Sequence, residues 1–148
     1  VDAEGGVFEK TVGEIRHFYR NVPELADNIV VSALFQGEQS PDHEISAMME
    51  ASKEKRRSSQ PIAASAGCIF KNPKVIGAGQ LIDELGLKGY ACGEAQVSEV
   101  HGNFIVNKKR ATATQVLDLI GHIKKKARDE RGIELETEVQ IIGQDEPV

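Results

Sequence analysis

The sequence predicts an α+β fold. Two long helical patterns, one beginning at Ser40-Pro41-Asp42 and one running from Thr112 to about Arg131, are accompanied by several short strand-like stretches. The strands and helices do not alternate in a βαβ rhythm, which indicates an α+β architecture. With 148 residues, of which 40% are hydrophobic and 14 are glycine, the chain suits one ordinary domain or a small domain with part of another.

The first part of the chain predicts three strands followed by a helix. Residues 5–10 and 14–18 have short strand patterns, and in residues 28–36 apolar side chains alternate with the others. Ser40-Pro41-Asp42 predicts a helix start, because a capping hydroxyl, a proline and an acid follow one another. This helix ends in the basic run KEKRRSS, and its apolar stripe consists of Ile45, Met48 and Met49.

The second part begins with a change of composition. Residues 58–67 (SSQPIAASAG) are uncharged and rich in small side chains, which predicts a linker into a second unit. A short helix is expected from Ala78 to Leu85, closed by Gly86. Residues 144–148 should fray. Strands are expected at residues 88–92, 95–98, 103–107 and 137–142.

The long helix carries the strongest local signals. Thr112 and Gln115 form a capping box at its start, and Gly132 suits the left-handed position just after its end. The helical period then predicts one buried stripe, which consists of Val116, Leu119, Ile120, Ile123 and Ala127.

Composition excludes several classes of function. A net charge of −5 and a pI near 5.4 argue against a nucleic-acid partner, although a local pocket for a small anion is compatible with them. No apolar run reaches the roughly 18 residues that a membrane span needs. Cys68 and Cys92 are too few for a disulfide framework, and VDAEGGVFEK lacks the pattern of an export signal. We therefore expect a cytoplasmic chain with reduced thiols and no membrane partner.

The stretch from Ser65 to Pro73 is the most unusual part of the sequence. Small residues before Cys68 allow close approach of a backbone or a ligand, and Lys71 and Asn72 add a cation and an amide that suit a phosphate. The simpler interpretation is a buried cysteine on a strand that ends at Pro73, since a lone cysteine is weak support for a site.

Other candidates also have a structural interpretation beside the functional one. Arg20, next to Tyr19, is typical of a surface arginine whose stem lies on a ring. The run from Lys53 to Arg57 is typical of a solvated helix end, and His101 of a turn. Glu134, Glu136 and Glu138 alternate and so project from one face of an extended chain. The sequence contains no metal-ligand pair, Ser-His-Asp arrangement, P-loop or GxGxxG motif.

Taken together, seven stretches resemble one family in order and spacing. They are FYR at 18–20, RRSSQP at 56–61, SAGCIFKNP at 65–73, AGQLIDELGLKG at 78–89, AQVSEVHGNFIVN at 95–107, ATATQVLDLI at 111–120 and GIELETEVQIIG at 132–143. The chain resembles the C-terminal half of the MurB family, the UDP-N-acetylenolpyruvoylglucosamine reductases of peptidoglycan synthesis. No counterpart of the tyrosine-bearing loop of some members is found, so the resemblance is to the loop-less type.

The resemblance implies an NADPH-dependent flavoenzyme that reduces the enolpyruvyl double bond of UDP-N-acetylenolpyruvoylglucosamine through FAD. It implies that residues 1–57 are the C-terminal part of the second FAD-binding domain and residues 58–148 the substrate-binding domain. FAD would be bound largely by the family's N-terminal half, which is absent from this sequence and is the implied partner. We therefore expect a fragment or a truncated product. The alternative is an isolated nucleotide-sugar-binding module without redox activity.

The family's functional residues match seven positions. Cys68 falls where many members have the serine that donates a proton to the substrate intermediate, and a thiol, with an ordinary pKa of about 8.5, is a better acid than an alcohol. Arg20 and Glu138 match the two residues that polarise the substrate and stabilise the developing charge. The matches to substrate-binding positions are Tyr19, Asn72, Lys88 and His101.

Overall fold

The computed structural model describes residues 1–143, which form two compact units. The first unit is Val1–Asp42, and its only regular elements among those residues are two single turns of 3-10 helix, Val12–Glu14 and Pro23–Leu25. The second unit begins at His43. The boundary expected from the resemblance, between residues 57 and 58, stays a prediction.

Three helices and four strands make up the regular structure of the second unit within residues 43–143, with the first residue of α1 just before it. The helices are α1 (Asp42–Ser59), α2 (Ala78–Glu84) and α3 (Ala113–Arg131). The strands are β1 (Ser65–Cys68), β2 (Ala91–Cys92), β3 (Ala95–Val97) and β4 (Phe104–Asn107). Every strand pair is antiparallel, in the order β1-β4-β3-β2. The predicted α+β class is confirmed.

One hydrophobic core joins α2 and α3 to the sheet. α3 contacts β2, β3 and α2, and its stripe residues Leu119, Ile123 and Ala127 are at most 1% exposed. Burial of each large apolar side chain contributes about 1.5–3 kcal/mol, so this face of α3 anchors the unit. From the chain that follows β1, Ile69 and Phe70 enter the same core. No helix within residues 1–143 is long and apolar enough to cross a membrane.

The strand β1 is distorted just before Cys68. Its pairing with β4 shifts register between Ser65 and Cys68, so that Ser65 faces Val106 and Cys68 faces Phe104. Gly67 has a φ of +82°, in the left-handed region that favours glycine. This irregularity sets the direction in which Cys68 leaves the sheet.

The strands predicted at residues 5–10, 14–18 and 28–36 are wrong. Among the described residues no strand forms there, and the alternating side chains of the third stretch are exposed, with Phe35 at 87%. A strand needs a hydrogen-bonded neighbour, and alternation alone does not supply one. The predicted apolar stripe of α1 is also exposed, with Ile45, Met48 and Met49 at 41%, 69% and 58%.

Two further predictions need correction. The expected linker at residues 58–67 is partly regular, because α1 continues to Ser59 and β1 begins at Ser65. The expected strand at residues 137–142 is reduced to a single bridge between Thr137 and Phe70. Residues 144–148, expected to fray, lie outside the described residues. By contrast, α2, α3 with its Thr112 capping box, and the three strands between them are confirmed to within a few residues.

The capping box gives a stability prediction. The Thr112 hydroxyl accepts a hydrogen bond from the Gln115 backbone N–H at 3.2 Å, so Thr112→Ala should lower the free energy of unfolding by about 1 kcal/mol. Thr114→Ala makes the same chemical change at an exposed helical position and should not lower it. Urea unfolding followed by circular dichroism measures both. Equal effects of the two variants would contradict the role of the cap.

Candidate functional site

Residues 69–71 run beside residues 101–104 without forming a regular strand. The Ile69 N–H donates to the Asn103 carbonyl at 2.9 Å. The Asn103 side chain then binds both backbone groups of Phe70: its Oδ1 accepts from the Phe70 N–H at 2.9 Å and its Nδ2 donates to the Phe70 carbonyl at 2.8 Å. Asn103 is only 3% exposed, so these bonds are shielded from water.

The C-terminal segment pairs with the other edge of residues 69–71. The Glu138 N–H donates to the Ile69 carbonyl at 2.8 Å, and the Lys71 N–H donates to the Glu136 carbonyl at 2.9 Å. The Lys71 ammonium also pairs with the Glu136 carboxylate. Glu138 is thereby paired with Ile69, the residue that follows Cys68, and both Glu138 and Cys68 are half-buried.

A groove of about 330 Å³ brings together three candidate substrate-binding residues, Asn72, Lys88 and His101. We call it the histidine groove; Gly79, Asp83 and Gly102 also line it. Asn72, Lys88 and His101 come from three different loops, so the groove forms only when the second unit folds.

The polar groups of the histidine groove have defined partners. The Asn72 side-chain oxygen accepts from the Ala78 N–H at 2.9 Å, and the Lys88 ammonium lies 2.6 Å from the Asp83 carboxylate. The His101 Nδ1 accepts from the Asn103 N–H at 3.1 Å. A neutral imidazole that accepts at Nδ1 carries its proton on Nε2, so Nε2–H is a hydrogen-bond donor.

Two glycines let the walls of the histidine groove come close. A Cβ on Gly79 would lie 2.7 Å from the His101 ring, and a Cβ on Gly102 would lie 2.5 Å from the Gly79 carbonyl oxygen. Any side chain at Gly102 would therefore push the first turn of α2 away from the His101 turn.

A second groove, of about 380 Å³, is basic. Lys53, Arg56 and Arg57 line it together with Ser65, Gly67 and Phe104. The sequence interpretation treated this run as a solvated helix end and missed the groove, because a basic helix end has the same sequence in either setting. The Phe104 ring also contacts His101, with ring centroids 5.0 Å apart, so one aromatic side chain borders both sites.

Tyr19 and Arg20 belong to the first unit, in a tight turn between Phe18 and Asn21. Two backbone hydrogen bonds, of 2.7 and 3.1 Å, close this turn. Arg20 has a φ of +57°, which costs a non-glycine residue about 1–2 kcal/mol. Its guanidinium carbon lies 5.6 Å from the centre of the Tyr19 ring, the contact that the surface interpretation of Arg20 expects.

The carboxyl groups with shifted pKa values lie outside the residues that line the two grooves. A hydrogen bond from the Thr11 hydroxyl lowers the pKa of Glu14, and a backbone hydrogen bond lowers the pKa of Glu24. The Lys125 ammonium lowers the pKa of Asp129. Within residues 1–143 no group of three or more His, Cys, Asp and Glu side chains could hold a metal ion.

Comparison with known proteins places this geometry in a family. The family model for the C-terminal domain of UDP-N-acetylenolpyruvoylglucosamine reductase matches residues 59–142. The UDP-N-acetylenolpyruvoylglucosamine reductase of Bacillus licheniformis is 49% identical over 117 residues, covering 78% of this chain and 64% of that protein. The reductase of Bacillus subtilis (strain 168) is 42% identical over 144 residues, covering 95% of this chain and 48% of that protein.

A solved structure from the same family is similar to this chain. The crystal structure of the reductase (MurB) from Thermus caldophilus is similar with a TM-score of 0.59 and 43% identity, over 70% of this chain and 36% of that chain. The second unit is thus a two-layer α+β domain of the reductase type. The chain belongs to the UDP-N-acetylenolpyruvoylglucosamine reductase family, whose C-terminal domain it carries. It spans between about half and two thirds of the length of these two Bacillus relatives.

The close approach at Gly102 gives a second prediction. Gly102→Ala should lower the free energy of unfolding by about 1–3 kcal/mol, because the new Cβ meets a backbone oxygen that cannot move alone. Gly121→Ala is the control: it lies in α3 with nothing within 4 Å of the added Cβ and should raise stability by about 0.5–1 kcal/mol. Denaturant unfolding measures the free energy of unfolding of both variants. If Gly102→Ala leaves it unchanged, the contact between residue 102 and the Gly79 carbonyl oxygen is not tight.

Proposed function

We propose that this chain is the substrate-binding part of a flavin-dependent reductase of peptidoglycan synthesis. The reaction converts UDP-N-acetylenolpyruvoylglucosamine to UDP-N-acetylmuramate with electrons from NADPH. One observation carries the proposal: Asn72, Lys88 and His101, assigned to the substrate by resemblance alone, line one groove. Asn72 is also four residues from Cys68, and the segment between them is the one that Asn103 holds.

The histidine groove suits the nucleotide end of such a substrate. The Lys88 ammonium supplies a cation for a diphosphate, and Asp83 keeps that cation at the groove when no ligand is bound. The His101 Nε2–H and the Asn72 amide offer hydrogen bonds to the ribose or the base. A neutral donor is favourable beside a base, because it adds no charge that must be desolvated.

Cys68 is proposed as the proton donor at the far end of the substrate. A thiol with an ordinary pKa of about 8.5 is protonated at pH 7 and can give its proton to a carbanion-like carbon of the substrate. Glu138, whose backbone N–H binds the Ile69 carbonyl, is proposed to stabilise the negative charge that develops on the substrate by donating a hydrogen bond, which a carboxyl group can do only in its protonated form. For Tyr19 and Arg20, of the first unit, roles in substrate binding and polarisation are proposed from the family resemblance.

FAD is proposed to be held largely by a region of the longer relatives that lies outside the stretch this chain matches. When bound, it would supply the hydride that NADPH has delivered to it. The basic groove fits a phosphate-bearing group, because Lys53, Arg56 and Arg57 face a wall where Gly67 has no side chain and open space around it. That groove is proposed to receive the diphosphate of the flavin.

Titration with UDP tests the nucleotide site in the chain as it stands. UDP should shift the NMR resonances of Lys88 and His101, and Lys88→Met should weaken binding about tenfold, because a charge-assisted hydrogen bond contributes roughly 1.5–3 kcal/mol. Lys125→Met is a matched control, since it also removes a lysine that lies 2.6 Å from an aspartate, outside the groove residues. Unchanged resonances at millimolar UDP would contradict a preformed nucleotide site.

The second candidate function is a nucleotide-sugar-binding module without redox chemistry, and it is favoured by the position of Asn72, Lys88 and His101, which line one groove within this chain. The two functions differ in flavin binding. A yellow preparation, or added FAD that co-purifies with the chain, would support the reductase assignment for this chain alone. A colourless chain that binds UDP and takes up no FAD would leave it a module that needs the rest of the reductase.

Substitution of Cys68 tests the proton donor in a complete reductase that carries this domain. Cys68→Ala should leave reduction of the flavin by NADPH nearly intact and slow its reoxidation by substrate at least about a hundredfold, the range for general-acid catalysis. Cys68→Ser should keep much of the rate, and Cys92→Ala, at the other thiol, should keep nearly all of it. Stopped-flow absorbance separates the half-reactions. If Cys68→Ala reoxidises at the unmodified rate, Cys68 is not the donor.

A further inference from the structure

Asn103 lies between the two halves of the proposed site. Its carboxamide binds the Phe70 N–H and carbonyl, its own carbonyl accepts from the Ile69 N–H, and its own N–H donates to the His101 Nδ1. A carboxamide has one acceptor and two donor hydrogens, so it satisfies both backbone groups of Phe70 as a neighbouring strand would. Four hydrogen bonds from one residue thus join the segment after Cys68 to the wall of the histidine groove.

The hydrogen bonds between Asn103 and the segment after Cys68 are shielded from water. Asn103 is 3% exposed, and the two residues it binds in the segment after Cys68, Ile69 and Phe70, are 2% and 1% exposed. Water cannot replace a lost partner at such a site without a rearrangement. A displacement of Asn103 would therefore move its N–H away from His101 and release the backbone that follows Cys68.

We propose that Asn103 is a positioning residue for the reaction, which fixes the tautomer of His101 through its backbone N–H and the place of the segment after Cys68 through its buried side chain. The inference rests on the proposed function, because it takes from there that His101 contacts the nucleotide and that Cys68 donates the proton. Asn103 does not touch substrate in this account. It acts by keeping the histidine groove and the reacting end of the substrate site at one fixed separation.

Asn103→Asp in the 148-residue chain is the sharpest test, because it keeps the size and the acceptor and removes the donor to the Phe70 carbonyl. In the folded variant, the ¹⁵N shifts of His101 should show loss of the Nε2–H preference. The pH profile of Cys68 alkylation, read by peptide mapping so that Cys92 is counted separately, should change, and UDP should bind at least about tenfold more weakly. Asn107→Ala, an exposed asparagine of β4 whose side chain accepts from the Ala111 N–H, should alter none of these.

A merely structural role would lower the unfolding midpoint of Asn103→Asp and leave the His101 tautomer and the alkylation profile of the folded molecules unchanged; that result overturns the proposal. If Asn103→Asp does not fold, a UDP titration of the unmodified chain tests the proposal instead. Saturating UDP should then shift the side-chain amide resonances of Asn103 together with those of His101. Shifts at His101 with none at Asn103 would overturn the proposal.

Failure of the proposed function is a separate result. If the unmodified chain binds no UDP at millimolar concentration, the nucleotide assignment fails. The tautomer and alkylation readouts need no ligand, so they still show whether Asn103 couples His101 to Cys68.

Discussion

Hydrogen bonding on both edges of residues 69–71 is the interaction on which the rest of the site depends. On one edge, Asn103 binds Ile69 and Phe70; on the other, Glu138 and Glu136 bind Ile69 and Lys71. A buried backbone group left unpaired costs about 1–3 kcal/mol, so neither edge can be released cheaply. Because the side chains of Ile69 and Phe70 also pack in the hydrophobic core, both the backbone and the side chains of this short segment are held in place.

The candidate residues lie at the two ends of this fixed segment. Cys68 precedes it and Asn72 follows it, and both are more exposed than Ile69 and Phe70. The same pattern recurs on the facing segment, where half-buried His101 precedes buried Gly102 and Asn103. The candidate side chains thus flank buried anchors, an arrangement that would allow contact with a ligand without loss of position.

How much the sequence predicts depends on how local the signals are. α3 is predicted in full because its cap at Thr112, its apolar stripe and the left-handed Gly132, with a φ of +63°, all act within the helix. Residues 28–36 have the right alternation and form no strand, because strand formation depends on a partner that the alternation does not encode.

No local sequence pattern predicts the histidine groove. Gly79 and Gly102 line it by a close approach between segments 23 residues apart, and nothing near either glycine indicates that contact. The family resemblance assigned Asn72, Lys88 and His101 to the substrate, but their shared groove became visible only in the folded unit. Arg56 and Arg57 were missed because a basic helix end has the same sequence whether it faces a groove or open water.

The acidic net charge is compatible with the two proposed anion sites. At physiological ionic strength, charges separated by more than about 8 Å are largely screened, so carboxylates elsewhere on the surface contribute little at a groove. What a phosphate meets is local: Lys53, Arg56 and Arg57 in one groove, and Lys88 in the other. Asp83 offsets part of the Lys88 charge, but it also orders a side chain that otherwise has roughly 2 kcal/mol of rotamer entropy to lose. The Lys88–Asp83 pair therefore attracts a phosphate less strongly than a free lysine would, but its ammonium group is already oriented. This arrangement favours a ligand that must be held in one position over a ligand that is bound mainly through its total charge.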